Sequence, residues 1–269
     1  MGQGLQSEAM KRKEPALEFF DSNVYIGRQM NRLAGQFDQP PASAQDLLQA
    51  MDRASVARAL VWHVAQRDSY ALVGNDLLDR AIAGHQRLSP CWTLLPPQTG
   101  ELGDLDDFFA RARRAGVRAF RAFPDAHRFL LRRDVMGAVL DRLVAARAPL
   151  ILRVPASASW EAVYDLLADT PELTLILTNM GVWGTDRYFR PLMENYPNVY
   201  IETSQYITDG GIEAFVESYG AQRMLFGSSF PECYMGATML TIAHAEISEE
   251  DKRAIAGGNL DRLLGEVRL

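Results

Sequence analysis

The chain has 269 residues, 48% of them hydrophobic and 23% charged, with a formal net charge of −6. That length suits one compact domain, and the acidic balance argues against a broad nucleic-acid surface. No apolar run reaches the ~18 residues of a membrane span, and two cysteines, Cys91 and Cys233, are too few for a disulfide scaffold.

Residues 1–18 read as a polar arm carrying Lys11, Arg12 and Lys13, with Met10 as an alternative start. Asp21 and Asn23 interrupt the apolar stretch that a signal peptide needs, so the thiols are expected to be reduced and the chain cytoplasmic. From residue 19 to 269, short apolar or β-branched runs alternate with amphipathic segments, the pattern of a parallel sheet with crossover helices. Strands are expected to end near Tyr25, His63, Leu95, Phe123, Val154, Asn179, Thr203 and Ser229, with Pro40-Pro41 and Pro96-Pro97 marking loops after the first and third. Arg111, Arg113 and Arg114 share a predicted helix with Asp104, Asp106 and Asp107, a self-paired solvated face. Helical spacing follows in Val135, Val139, Leu140 and Leu143, with Asp134 as N-cap, and in Trp160, Val163, Leu166 and Leu167 after Ser157 and Ser159. Ser248-Glu249-Glu250-Asp251 has capping-box character and opens a final helical region towards Leu264. Without repeats or a second composition regime, these units predict a single (β/α)8 barrel, for which ~250 residues is typical.

In such a barrel the chemistry sits where strands end. The polar strand-end residues are Asn23 and Tyr25, His63, Arg121, Arg153, Asn179, Glu202 with Ser204, and Ser228 with Ser229. Trp92, Tyr25, Phe123, Trp183 and Tyr206 fall near the same ends and are candidates for an apolar pocket wall, while Trp62 reads as core filling.

Four segments carry a family resemblance. Phe20-Asp21-Ser22-Asn23-Val24-Tyr25-Ile26-Gly27 resembles a first strand usually written D-x-H-x-H-x-G, and Pro149-Leu150-Ile151-Leu152-Arg153 resembles a fifth that normally ends in histidine. Leu175-Ile176-Leu177-Thr178-Asn179-Met180-Gly181 resembles a sixth strand containing A-H-M-G, and Arg223 to Pro231 resembles an eighth containing F-G-S-D-F-P. Together with weaker matches around Glu202 and Asn259, this is similar to the amidohydrolase-related family of barrels, whose members include decarboxylases and lactone or amide hydrolases. The resemblance implies a metal site whose histidines are replaced by Asn23, Tyr25, Arg153 and Asn179 and whose aspartate is replaced by Ser229. Amides and hydroxyls are weak ligands, and a guanidinium cannot coordinate at all, so no metal and no other cofactor is expected. Of the four histidines, His63 and His127 could reach the mouth, whereas His85 and His244 read as surface or capping residues.

Arg153 and Arg121 offer forked donors suited to a carboxylate, so a small, anionic ligand or substrate is expected, with Asn23, Asn179 and Ser229 as further binding residues. The alternative for Arg153 is an internal pair with Glu202 filling the former metal cavity. Candidate proton carriers are Glu202, His63, His127 and Tyr25. Three functions stay open: a metal-independent hydrolase or decarboxylase-type lyase acting on a small organic acid, a non-catalytic metabolite-binding barrel, and a metal hydrolase with an unorthodox site. Neither a nucleic acid nor a membrane is expected as partner, and a homo-oligomer stays open.

Overall fold

A computed structural model describes residues 16–29, 42–181 and 184–269. The polar arm up to residue 15, Pro40-Pro41 and Trp183 lie outside the described residues. Eight strands run β1 (Phe19–Ile26), β2 (Val56–His63), β3 (Leu88–Thr93), β4 (Ala119–Arg121), β5 (Leu150–Arg153), β6 (Leu175–Thr178), β7 (Val199–Glu202) and β8 (Met224–Leu225). They pair in sequence order, every pair parallel. The seam between last and first is joined by Ser22 N–H donating to Phe226 O (2.9 Å) and Tyr25 N–H to Phe230 O (3.0 Å). This is the (β/α)8 barrel anticipated from the alternation, with strand ends within about two residues of expectation for most strands. The eighth strand is the exception, ending at Leu225 with a turn running on to Ser229.

The pleat sorts side chains into two layers, because alternate residues of a strand face opposite sides. Leu150, Leu152, Leu175, Leu177, Val199 and Ile201 pack outward against the helices. Cys91, Ala119, Ile151, Ile176 and Tyr200 fill the barrel interior. Arg121, Arg153 and Glu202 each stand two residues beyond an interior residue, so the same parity carries them to the inside of the mouth. Trp92 has the opposite parity. It packs on Phe108 (5.7 Å) and donates to Asp79 from its indole nitrogen, so it belongs to the helix layer and forms no part of the mouth. Tyr206 likewise leaves the mouth, packing edge-on against Phe189 at 5.8 Å.

Helix starts follow local chemistry in two of the three predicted cases. Ser159 caps Trp160–Asp169 by accepting from Ala162 N–H, and Ser248 caps Glu249–Arg253 by accepting from Asp251 N–H. The helix Arg133–Ala146 instead begins one residue before Asp134, whose carboxylate sits in the first turn, where it favours the helix dipole without capping. Among the described residues, no helix is long and apolar enough to cross a membrane.

Candidate active site at the barrel mouth

The mouth has an inner layer built entirely from buried polar groups. Glu202 is 1% exposed. Its Oε1 accepts from Asn179 N–H (2.7 Å), Ser204 O–H (2.6 Å) and the Asn23 amide (3.4 Å), and its Oε2 accepts from Ser204 N–H (2.6 Å). A side chain at Gly227 would overlap this carboxylate, which is the steric reason for glycine there. Asn23 is the hub: its amide nitrogen also donates to Asn179 Oδ1 (2.9 Å) and Ser229 Oγ (3.1 Å), and Asn179 donates in turn to Ser229. Asn179 and Ser229 reach this cluster from the left-handed backbone region, at φ 55° and 58°. Asparagine tolerates that region and serine does so at a cost, so the turns after β6 and β8 are shaped by where their side chains must point.

Arg121 closes the inner layer. It is 2% exposed and donates from Nη2 to Asn23 Oδ1 at 2.8 Å, an amide oxygen rather than a carboxylate. Its Nε–H finds no acceptor among the described residues, and the neighbouring Cys91 thiol is too weak to replace one. Burial pulls the guanidinium below its ordinary value, opposed by the neighbouring Cys91 sulfur and the Glu202 carboxylate. Burial likewise raises Glu202, against the lowering effect of its hydrogen bonds. Beneath them Asp21, fully buried, ties the seam by accepting from Asn23 N–H and Ser228 N–H, both at 3.0 Å. Its second oxygen has no hydrogen-bond partner among the described residues, and burial pushes the carboxyl up to about 6.

An outer layer lies nearer solvent. Arg153 donates to Glu232 through both terminal nitrogens, 2.9 and 3.0 Å, with about a quarter of each side chain exposed. Glu232, from the loop after β8, therefore takes the partner role expected of Glu202, whose oxygens are already occupied by the β6 and β7 turns. Burial lowers Arg153 less than the hydrogen bond and charge of Glu232 raise it, leaving it above its ordinary value. The Tyr25 hydroxyl donates to Glu232 at 3.4 Å and accepts from Gln29; burial and the Glu232 charge push it up to about 12.

Between the layers lies a cavity lined by Asn23, Tyr25, Trp62, Arg67, Arg121, Phe123, Arg153, Ser157, Asn179, Ser229 and Glu232. About 10 Å³ of it is open to the centre of a water molecule, room for a single water. Six of the nine site residues anticipated from sequence line it: Asn23, Tyr25, Arg121, Arg153, Asn179 and Ser229. Glu202 lies just behind, saturated. His63 stands apart, its Nδ1 accepting from Ala65 N–H (3.1 Å), and His127 packs edge-on against Phe123 at 5.8 Å; burial lowers both, favouring neutral rings. Arg67, Ser157 and Glu232 were missed because they lie beyond the strand ends, Arg67 in the short helix Ala65–Asp68 and the other two in turns. Trp62 belongs to the buried barrel core, as read from the sequence, and its ring also lines the cavity, 5.7 and 5.3 Å from the Arg67 and Arg121 guanidinium groups, with an indole N–H that has no acceptor among the described residues. Among the described residues, no group of three or more His, Cys, Asp or Glu side chains could hold a metal ion.

The amidohydrolase family model matches residues 26–265, beginning just after the Asn23 and Tyr25 positions of β1. Among solved structures, 5-carboxyvanillate decarboxylase from Sphingomonas paucimobilis is 15% identical with a TM-score of 0.71, covering 94% of this chain and 100% of its own. The 2,6-dihydroxybenzoate decarboxylase from Rhizobium is 15% identical at TM-score 0.70, covering 93% and 99%. The 4-oxalomesaconate hydratase from Rhodopseudomonas palustris is 15% identical at TM-score 0.66, covering 92% and 96%. No curated protein matches the sequence. At these identities the structural likeness speaks for the fold alone, while the family match spans most of the length: this chain belongs to the amidohydrolase family.

Proposed function

We propose that this barrel takes up a small organic carboxylate at its mouth and acts on it, without a metal ion, as a hydrolase or decarboxylase-type lyase. The observation that carries the proposal is Arg121, a buried cation beside the cavity whose direct partner is a neutral amide. A buried charge without a direct ionic partner is costly; Glu202 meets Arg121 only through the Asn23 amide, and an anionic ligand supplies a countercharge in direct contact. Trp62 and Arg121 each keep a buried N–H without an acceptor among the described residues, and both line the cavity, so a carboxylate there would meet open donors. The decarboxylases and the hydratase that share this fold are named for organic acids, which accords with the same ligand class.

A divalent cation does not fit the lining. Two primary amides and a hydroxyl converge there beside a permanent guanidinium, and the one lining carboxylate, Glu232, is engaged by Arg153. Decarboxylation replaces carbon dioxide by a proton on carbon, and among the lining residues Tyr25, hydrogen-bonded to Glu232, is the group able to carry that proton. The free thiols Cys91 and Cys233 accord with a reducing, cytoplasmic setting.

One observation favours a second function, ligand binding without turnover: Glu202 is saturated by donors, and neither His63 nor His127 lines the cavity. The two functions separate in a screen of organic acids and esters run with metal-free protein and a chelator present. Turnover that survives the chelator and disappears in Tyr25→Phe supports the enzyme. Carboxylate binding without turnover leaves the binder, and stoichiometric zinc, iron or manganese in the purified protein overturns the metal-free proposal.

A further inference from the structure

The Arg153–Glu232 pair has the geometry with which an arginine holds a ligand carboxylate: two parallel N–H···O bonds of 2.9 and 3.0 Å at the edge of the cavity. While the pair stands, the cavity holds no more than one water. Any organic acid that uses Arg153 must replace Glu232, and one that reaches Arg121 must widen a cavity of which Glu232 forms part of the wall. We propose that Glu232 is a resident carboxylate occupying the ligand's seat on Arg153, and that it sets the specificity of the mouth by admitting only anions that exchange with it.

Three features fit this role. Glu232 sits in the turn after β8 with its backbone N–H tied to the Ser229 carbonyl (2.8 Å), so its side chain can swing away while its backbone, and with it the Asn23–Asn179–Ser229–Glu202 network, stays in place. It also lines a second cavity of about 270 Å³ on the outer side of the same loop, together with Arg53, Phe230, Cys233 and Tyr234, which offers the displaced side chain both space and another cation. Tyr25, which donates to Glu232, is released by the same movement and becomes free to donate to the incoming ligand. A neutral ligand gains nothing from the exchange, because it would leave Arg153 half-buried without a countercharge.

The inference rests on the proposed uptake of a carboxylate, and one titration distinguishes the two. Benzoate, with benzamide as the neutral control, is titrated calorimetrically into the wild type, Glu232→Gln, Glu232→Asp and Arg153→Ala. Apparent affinity falls with the fraction of molecules in which the seat is open, so removing the resident charge in Glu232→Gln should tighten benzoate about tenfold while leaving benzamide unbound. Glu232→Asp keeps the charge but is one methylene shorter, so it should lie between wild type and Glu232→Gln; it also serves if the glutamine variant does not fold. Arg153→Ala should weaken benzoate below wild type. Benzoate binding to wild type with equal or weaker binding to Glu232→Gln and Glu232→Asp overturns the role of Glu232 and leaves carboxylate uptake standing. No benzoate binding to any of the four proteins overturns both.

Discussion

The inner and outer layers of the mouth use the same side-chain chemistry to opposite effect. Each pairs a carboxylate with an arginine from a strand end, Glu202 with Arg121 and Glu232 with Arg153. In the inner layer the two charges meet only through the Asn23 amide, and Glu202 is held by backbone N–H groups of two turns. In the outer layer they bond directly, about a quarter exposed, and Glu232 is held by the side chains of Arg153 and Tyr25. Burial decides the difference. A carboxylate that accepts from several fixed backbone donors in a dry site becomes part of the framework, whereas a half-solvated pair is weakly held and exchangeable.

The largest test of that contrast is Glu202→Ala. It strands the Asn179 and Ser204 N–H groups and removes the nearest countercharge of Arg121. We expect a loss of about 3–5 kcal/mol in urea unfolding. A loss below about 1 kcal/mol would mean that the inner layer is no more structural than the outer one.

Next in size is the pH dependence set by Asp21. A carboxyl raised from 3.8 to about 6 favours the protonated fold. Its contribution is complete below the ordinary carboxyl value and is lost as the pH rises through about 6. At ~1.4 kcal/mol per pH unit this amounts to about 3 kcal/mol. Asp21→Asn keeps the oxygen that accepts from Asn23 and Ser228 and abolishes the titration, so the stability of the variant should show a flatter slope between pH 4 and 6 than wild type. Parallel slopes for the two proteins would show that Asp21 does not titrate there. The smallest effect is expected for Glu232→Ala, about 1 kcal/mol and decreasing with salt, because solvent screens a partly exposed pair. A cost as large as that of Glu202→Ala would erase the distinction between the layers.

Much of this was legible in the residues. Alternating apolar runs sufficed for the barrel because a strand and an amphipathic helix each write their burial pattern locally. Strand-end parity likewise placed Asn23, Tyr25, Arg121, Arg153, Asn179 and Ser229 around one cavity. The failures have a common cause. Trp92 faces the helices rather than the mouth because one residue of register reverses which face of a strand a side chain occupies, and apolar composition does not reveal that register. Asp134 is a good capping residue displaced by two positions from the observed N-cap, Arg132, within the usual uncertainty of a helix boundary.

By itself, then, the sequence determined the barrel, the polar character of its mouth and the two arginines that face it, since each follows from local periodicity or from the chemistry of a single side chain. Only the tertiary structure decided which carboxylate each arginine would meet. Glu202 and Glu232 are separated by the helix Gly211–Tyr219, a 3-10 turn and β8, and their side-chain chemistry does not distinguish them. The choice was made by the backbone N–H groups that the β6 and β7 turns bring onto Glu202, leaving Glu232 as the carboxylate free to reach Arg153.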